Sequence, residues 1–371
     1  MANHLGTRII AFYLPQFHPI PENNNWWGNG FTEWTNVAKA KPLFRGHYQP
    51  HIPADLGFYD LRVPETRIAQ TEMAREYGIE GFCYWHYWFA GRRLLERPFV
   101  QVLKSGEPKF PFCLAWANQS WSGIWHGNPG QILVEQTYPG LKDYAEHFYA
   151  VVDAFGDARY ITIEGKPIFL VFRPHELPEP EKFTDYWREL AIKSGLKGIY
   201  FIGISSESWN WWFPHEHGFD AAVLTNLQPA FDWVFQPRYT FLDRVSRKLT
   251  QKDLRELERY LFRKPRIFPY ADAIKMAIPS LTKNFAQYPC VLPNFDNTPR
   301  SGLNGVVFHN ATPELFQVHL RQAINQVMDR EADRRMVFIK SWNEWAEGNY
   351  LEPDVKFGRA FLEVVKDEVA Q

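Results

Sequence analysis

The chain carries little that would mark it for a disulfide framework, a metal cluster, a membrane or a polyanion. Its 371 residues include three cysteines, Cys83, Cys113 and Cys290, far apart, odd in number and each inside an apolar run. Such cysteines read as buried free thiols, and none has metal-type spacing. Lys+Arg 41 against Asp+Glu 42 leaves a formal net charge of −1. No basic patch calls for nucleic acid, and there is no acidic tail. The first ten residues lack the apolar core of a secretory signal, and no run approaches the ~20 apolar residues of a membrane span. The expectation is a reduced, cytoplasmic protein with no membrane span and no nucleic-acid partner. Asp-x-Asp, Gly-x-Gly-x-x-Gly and phosphate-cradling glycine loops are also absent. Neither a metal-dependent nucleotide-sugar site nor a dinucleotide fold is signalled, and no metal or cofactor is implied.

Aromatic residues are abundant instead, at 17% with 15 Trp. Many lie in polar loop stretches, where a flat indole can stack on a sugar ring; large cores also use aromatics. Hydrophobic residues at 45% suffice for a large core.

Short apolar runs alternate with amphipathic stretches along the chain. Strands are expected at residues 8–14, 81–87, 112–117, 167–172, 199–204, 221–224, 291–295 and 336–339. Helices are expected at about 64–77, 94–104, 141–155, 181–193, 312–330 and 355–369. Pro64 and Pro313 suit first turns, and Thr312 suits an N-cap. A polar, aromatic segment from about 15 to 63 is too long for a simple connection, and its aromatics argue for order. Residues from about 236 to 288 read as a helical insertion, with helices near 252–262 and 270–278. Eight strand-then-helix units predict a single α/β domain, a (β/α)8 TIM-type barrel, with a doubly wound parallel sheet as the alternative.

In such a barrel chemistry sits at the carboxyl ends of the strands. The last strand runs into Lys340-Ser341-Trp342-Asn343-Glu344-Trp345-Ala346-Glu347-Gly348, placing Glu344 and Glu347 between tryptophans. Paired carboxyls among indoles suit glycoside chemistry: one acid protonates a leaving oxygen while the other acts as base or nucleophile. Solvated glutamates at a strand end are the bland alternative. Candidate substrate contacts at the other strand ends are Tyr13, Gln16, His18, Trp85, His86, Trp116, Asn118, Trp121, Arg173, Glu207, Asp296 and Asn297, joined by Asn343 and Trp345 beside the acid pair. His18 and His86 serve equally well as satisfied structural histidines. Glu33 in Gly30-Phe31-Thr32-Glu33-Trp34 reads as a hydrogen-bond acceptor holding the long loop, with a third site acid as the alternative. His215-Glu216-His217 fits no standard metal spacing and reads as a surface loop.

The segments Tyr13-Leu14-Pro15-Gln16-Phe17-His18-Pro19, Trp26-Trp27-Gly28, Gly30-Phe31-Thr32-Glu33-Trp34-Thr35-Asn36-Val37, Gly57-Phe58-Tyr59-Asp60-Leu61-Arg62 and Trp342-Asn343-Glu344-Trp345-Ala346-Glu347-Gly348 resemble the WbsX-type proteins of bacterial polysaccharide loci. These are similar in turn to glycoside hydrolase family 99, the endo-acting α-mannosidases and α-mannanases. The resemblance spans nearly the whole chain. It implies a (β/α)8 barrel acting with retention on an α-linked glycan, mannan-like or O-antigen-like. At the place of Glu344, it implies a base that deprotonates the sugar 2-hydroxyl, which attacks its own anomeric carbon to give a 1,2-anhydro sugar. At the place of Glu347, it implies the acid that protonates the leaving oxygen and then activates water. Ala346 stands where family 99 has histidine, and the segment from 15 to 63 also departs from that family.

Residues at i and i+3 share a face if the tip turns helically and diverge if it stays extended, so spacing alone leaves retaining and inverting outcomes open. An acid catalyst at neutral pH is expected to be raised by burial against tryptophan and by its carboxylate neighbour. A retaining hydrolase or transglycosylase is the first reading. A glycosyltransferase of polysaccharide biosynthesis is the second, and a non-catalytic carbohydrate-binding barrel the third.

Overall fold

A computed structural model describes residues 6–123, 128–205, 213–224, 248, 263–278 and 285–370. Eight parallel strands close into a barrel: β1 (Arg8–Tyr13), β2 (Gly81–Phe89), β3 (Phe112–Trp116), β4 (Lys166–Val171), β5 (Tyr200–Ser205), β6 (Ala221–Leu224), β7 (Ala286–Val291) and β8 (Met336–Ile339). Closure is made by β1, which pairs with β2 through Ile10↔Gly81 and with β8 through Arg8↔Met336. Strands covered on both faces read as continuous apolar runs, and these strands do. Ile9 to Tyr13, Phe112 to Trp116 and Met336 to Ile339 are all buried.

Helices pack outside. Pro64–Glu76 starts on its proline, and Thr312 Oγ1 accepts from Leu315 N at 3.4 Å to cap Pro313–Asn325. The helices Leu141–Phe155 and Pro180–Lys193 lie side by side over β3 to β5. Trp187, fully buried, meets Phe148, Phe155, Phe169 and Phe201 there and donates its indole N–H to Tyr144 O at 2.9 Å. Among the described residues no helix is long and apolar enough to cross a membrane.

The long first loop is ordered, with helices at Pro21–Trp27 and Glu33–Lys39. Trp34 pins it by packing on Phe17, Tyr59 and Trp345 and by donating to Tyr59 O at 2.7 Å. His47 Nε2 and Gln49 Nε2 each lie 2.7 Å from Asp296 Oδ2, tying the loop to the segment after β7.

One expected strand is displaced. The run 291–295 was the expected seventh strand, but β7 is Ala286–Val291, with Cys290 opposite Phe338 of β8. Gln287 and Pro289 disguise this strand in sequence, because polar residues and proline are poor strand signals. Leu292 and Phe295 are apolar for another reason. They join Phe268, Tyr270, Ile274, Val306 and Phe308 in a satellite core, under a short parallel pair of Arg266–Pro269 with Val306–His309. The helix expected at 270–278 is found at Tyr270–Ala277; the one expected at 252–262 lies outside the described residues. The last helix starts later than expected, at Ala360–Val369.

Above the barrel, Asn343 joins the ends of β1 and β8. Its Oδ1 accepts from Leu14 N at 2.7 Å, and its Nδ2 donates to Leu14 O at 3.0 Å and Tyr59 OH at 3.3 Å. Asn343→Ala leaves both Leu14 backbone groups buried without these partners. An unsatisfied buried group costs about 1–3 kcal/mol, so urea unfolding should report a loss of roughly 2–4 kcal/mol; under ~1 kcal/mol would show the clamp to be dispensable.

Candidate active site

The chain leaves β8 at Lys340, forms a two-residue strand Asn343–Glu344 that pairs with Asn349–Tyr350, and turns between them through a single 3-10 turn, Trp345–Glu347. The turn needs its glycine. Gly348 sits at φ +65°, and a Cβ there would lie 2.9 Å from Asp296 N. The same contact aligns the two loops, because Asp296 N donates to Glu347 O at 2.6 Å.

Because the tip turns, Glu344 and Glu347 converge on one guanidinium. Arg300 Nη1 lies 2.5 Å from Glu347 Oε1 and 3.4 Å from Glu344 Oε1, while Arg300 Nε lies 3.1 Å from Glu33 Oε2. An oxygen of each carboxyl touches the same nitrogen, so these two oxygens are at most about 6 Å apart. Lys340 Nζ approaches from the barrel side, 3.3 Å from Glu347 Oε2 and 3.9 Å from Glu344 Oε2. Three carboxyls therefore meet two cations in a site where the Glu33 side chain is 0% and the Arg300 side chain 4% exposed. The charges balance when one proton is held.

That proton rests on Glu344. Burial, then the neighbouring Glu347 carboxylate, push Glu344 up to about 7. Burial acts in the same upward direction on Glu347, but Lys340 and Arg300 outweigh it and hold that carboxyl down at about 2. Glu344 Oε2 is buried with no hydrogen-bond partner among the described residues, whereas both Glu347 oxygens are engaged by cations. The expected raised acid is thus present, but the distribution is the reverse of the one expected for an acid at Glu347.

Of the expected substrate contacts, Gln16 lies beside this cluster and donates to Tyr87 OH at 3.1 Å. Trp85, Trp121 and Arg173 keep part of their surface open at the strand ends, with Trp121 edge-on to Tyr87 and Arg173 paired to Glu176 at 2.7 Å. Glu207 lies outside the described residues.

The other candidates make their contacts within the protein, and for those on barrel strands alternation sends every second side chain outward. Tyr13 points to the helix layer and donates to Gln70 Oε1 at 2.7 Å. His86 and Trp116 meet His147 of the helix Leu141–Phe155, His86 at 2.8 Å Nε2 to Nε2. Burial takes His86 well below the usual histidine range. His18 is buried as well: Nδ1 bonds Pro15 O at 2.9 Å, and burial lowers it to about 4. Asn118 clamps Arg173 N and O, and Asn297 Oδ1 accepts from Val306 N at 2.8 Å. Asp296 is saturated by His47, Gln49 and both Thr298 donors, which outweigh burial and lower it. Asn343 is the fully buried clamp already described. Trp345 lies under the site, stacked on Tyr350 at 3.8 Å and donating to Glu352 at 2.6 Å. Glu33 is no plain loop-holding acceptor, since it is the third carboxyl on Arg300.

The sequence puts Arg300 and Tyr87 at strand ends, though neither is among the candidate contacts, and Lys340 is passed over. For Lys340 a signal existed. A cation closing an apolar strand is costly unless paired, and the carboxyls that pair it follow four and seven residues later.

The family model described as glycosyltransferase WbsX matches residues 9–365. Two proteins named "Uncharacterized protein WxcX", from two strains of Xanthomonas campestris pv. campestris, are each 37% identical over 99% of this chain. The chain spans about half the length of these curated relatives, 50% in each case. Among solved structures, a "glycoside hydrolase-like protein" overlays with TM-score 0.59 at 13% identity, covering 98% of this chain and 94% of its own. The family 99 endo-alpha-mannosidase of Bacteroides thetaiotaomicron overlays with TM-score 0.57 at 15% identity, covering 98% and 96%. At such identities these overlays establish a shared barrel fold.

A carboxyl raised to about 7 in the folded state binds its proton more tightly than in the unfolded chain, where glutamate titrates near ~4.3. Its stabilising contribution is complete below ~4.3 and is lost as pH rises towards 7. Glu344→Gln cannot ionise. Relative to wild type, it should therefore gain stability between pH 5 and pH 8, on the order of 1–3 kcal/mol. A difference in melting temperature that stays flat over that range would contradict the protonated Glu344.

Proposed function

This chain belongs to the family described as glycosyltransferase WbsX, and on that premise we propose that it is a retaining, endo-acting glycoside hydrolase of α-linked glycans, mannan-like or O-antigen-like, with Glu344 and Glu347 as its catalytic pair. One observation carries the reading: two carboxyls from a single turn at the end of β8 share one guanidinium and one proton. Their separation supports retention, because an inverting pair needs ~6.5–9.5 Å to admit a water, whereas a retaining pair sits near ~5–5.5 Å.

The roles follow from where protons must go. A sugar 2-hydroxyl that donates to Glu344 favours its ionised form, so the pair's proton passes to Glu347. Glu344 then takes the 2-hydroxyl proton as O2 attacks C1. The C1–leaving-oxygen bond breaks, and Glu347 gives that oxygen its proton. In the second half, water loses a proton to Glu347 and attacks C1, the epoxide C1–O2 bond opens, and Glu344 returns its proton to O2. Each carboxyl ends as it began. Between about pH 2 and about 7 the pair holds the single proton this cycle needs. Gln16, Trp85, Trp121 and Arg173 are proposed to contact sugar. Stacking on Trp85 and Trp121 uses the apolar faces of the rings.

The family description favours a second reading, transfer of a sugar to a growing polysaccharide. The two readings separate by donor. A hydrolase releases reducing ends from a finished glycan with water alone, whereas a transferase consumes a nucleotide sugar and needs an acceptor.

The test is a reducing-end release screen on α-linked mannans, mannose-rich oligosaccharides and bacterial O-antigen polysaccharides. Wild type should release product, with activity falling as pH rises through about 7. Glu344→Gln and Glu347→Gln should each lose at least ~10²-fold, the usual contribution of a general acid or base. An aryl glycoside with a good leaving group should restore the first step in Glu347→Gln and not in Glu344→Gln. Sugar transfer from a nucleotide donor, with no release from any of these glycans, would replace the hydrolase by the transferase.

A further inference from the structure

Lys340, like Arg300 and Glu33, belongs to the charge cluster but has no part in the acid–base cycle. It leaves the last barrel strand with its side chain 16% exposed, and its nearest acceptors are the two carboxyls of the pair, Glu347 at 3.3 Å and Glu344 at 3.9 Å. Arg300 cannot play the same part. It also holds Glu33 of the long first loop, so it is a strut between three segments. Lys340 contributes charge at the pair and little else. Building on the hydrolase reading, we propose that Lys340 is a positioning residue that decides which carboxyl of the pair carries the shared proton, by keeping an ammonium on Glu347.

The charges leave few alternatives. Facing the pair are Arg300 and Glu33 from the segments after β7 and β1, Tyr87 from β2, Cys290 from β7 and Lys340 from β8. Burial acts on Lys340 to remove its proton, but Glu344 and Glu347 outweigh it, so the ammonium is retained. Without that cation, three carboxyls would face Arg300 alone. The cluster would then take up a second proton, and the group most dependent on Lys340 is Glu347, whose Oε2 it touches. With both carboxyls protonated, no base remains to take the 2-hydroxyl proton. The consequence for catalysis is a narrower pH window, closed from the acid side.

The experiment reads the protonation directly and needs no glycan. Carbon-13 labelling of glutamate side chains, with Glu344→Gln and Glu347→Gln used to assign the two carboxyl resonances, follows each group by NMR from pH 3 to pH 9. In wild type, Glu347 should keep its ionised shift throughout and Glu344 should titrate near neutrality. In Lys340→Met, Glu347 should titrate inside the window, its proton affinity raised at least about tenfold, since a unit charge at this distance acts through a medium of low effective dielectric. Lys340→Arg, which keeps the charge, should behave as wild type. Lys340→Gln is the second neutral variant should the methionine disturb folding, judged by circular dichroism and melting temperature. A Glu347 resonance that stays ionised in a folded neutral variant overturns the proposal, and so does a shift in Lys340→Arg equal to that in Lys340→Met. A failure of the hydrolase reading is distinguishable, because it would leave these titrations as expected while glycan release is absent. Where release is found, the acid limb of the kcat profile should move up in Lys340→Met with KM little changed.

Discussion

A guanidinium sealed from water is tolerated only where enough negative charge meets it, and breaking a buried pair by removing one partner costs about 3–5 kcal/mol. Arg300 satisfies that condition by collecting Glu33 from the long first loop and Glu344 and Glu347 from the turn after β8. Three stretches remote in sequence must therefore arrive together for any of them to be stable. The neighbouring Asp296 carboxylate follows the same logic, gathering His47, Gln49 and Thr298 while its backbone N–H holds Glu347 O. The carboxyl ends of β1, β7 and β8 are locked by polar contacts, and the body of the barrel beneath them by apolar ones.

The same constraint shapes the chemistry. Ground-state charge balance places one proton on a pair of carboxyls, and in the proposed reaction a sugar hydroxyl entering beside Glu344 needs only to move it. A site arranged this way carries its acid and its base at once near neutral pH, which is the condition for general acid–base work. The aromatic residues divide by depth. Trp345, Trp342 and Trp116 are buried and serve the scaffold, whereas Trp85 and Trp121 keep part of their surface open.

Much of this was legible along the chain. The apolar runs at 8–14, 81–87, 112–117 and 336–339 identify barrel strands because a doubly covered strand has no polar face to confuse the reading. The place of Glu344 and Glu347 at the end of the last strand is legible too, whereas the turn that brings them together is not, because i and i+3 spacing fits a helical or an extended tip. The seventh strand is the counter-example. Gln287 and Pro289 hide a real strand while Leu292 and Phe295 imitate one, because apolarity records burial and burial also serves a satellite core.

By itself the sequence determined the barrel, the position of the acid pair at the end of its last strand and an aromatic setting suited to sugar. These depend on local periodicity and on residues close together in the chain. Tertiary structure alone decided which strand-end residues face the site. One position of register turns Trp85 inward and His86 outward, and no composition records that choice. It also decided that Arg300 and Glu33 meet the pair, because contacts across 267 residues follow from barrel closure. Finally, it decided where the proton sits, because burial and charge act through space, and the two carboxyls that look equivalent in sequence are separated by how closely the cations approach each of them.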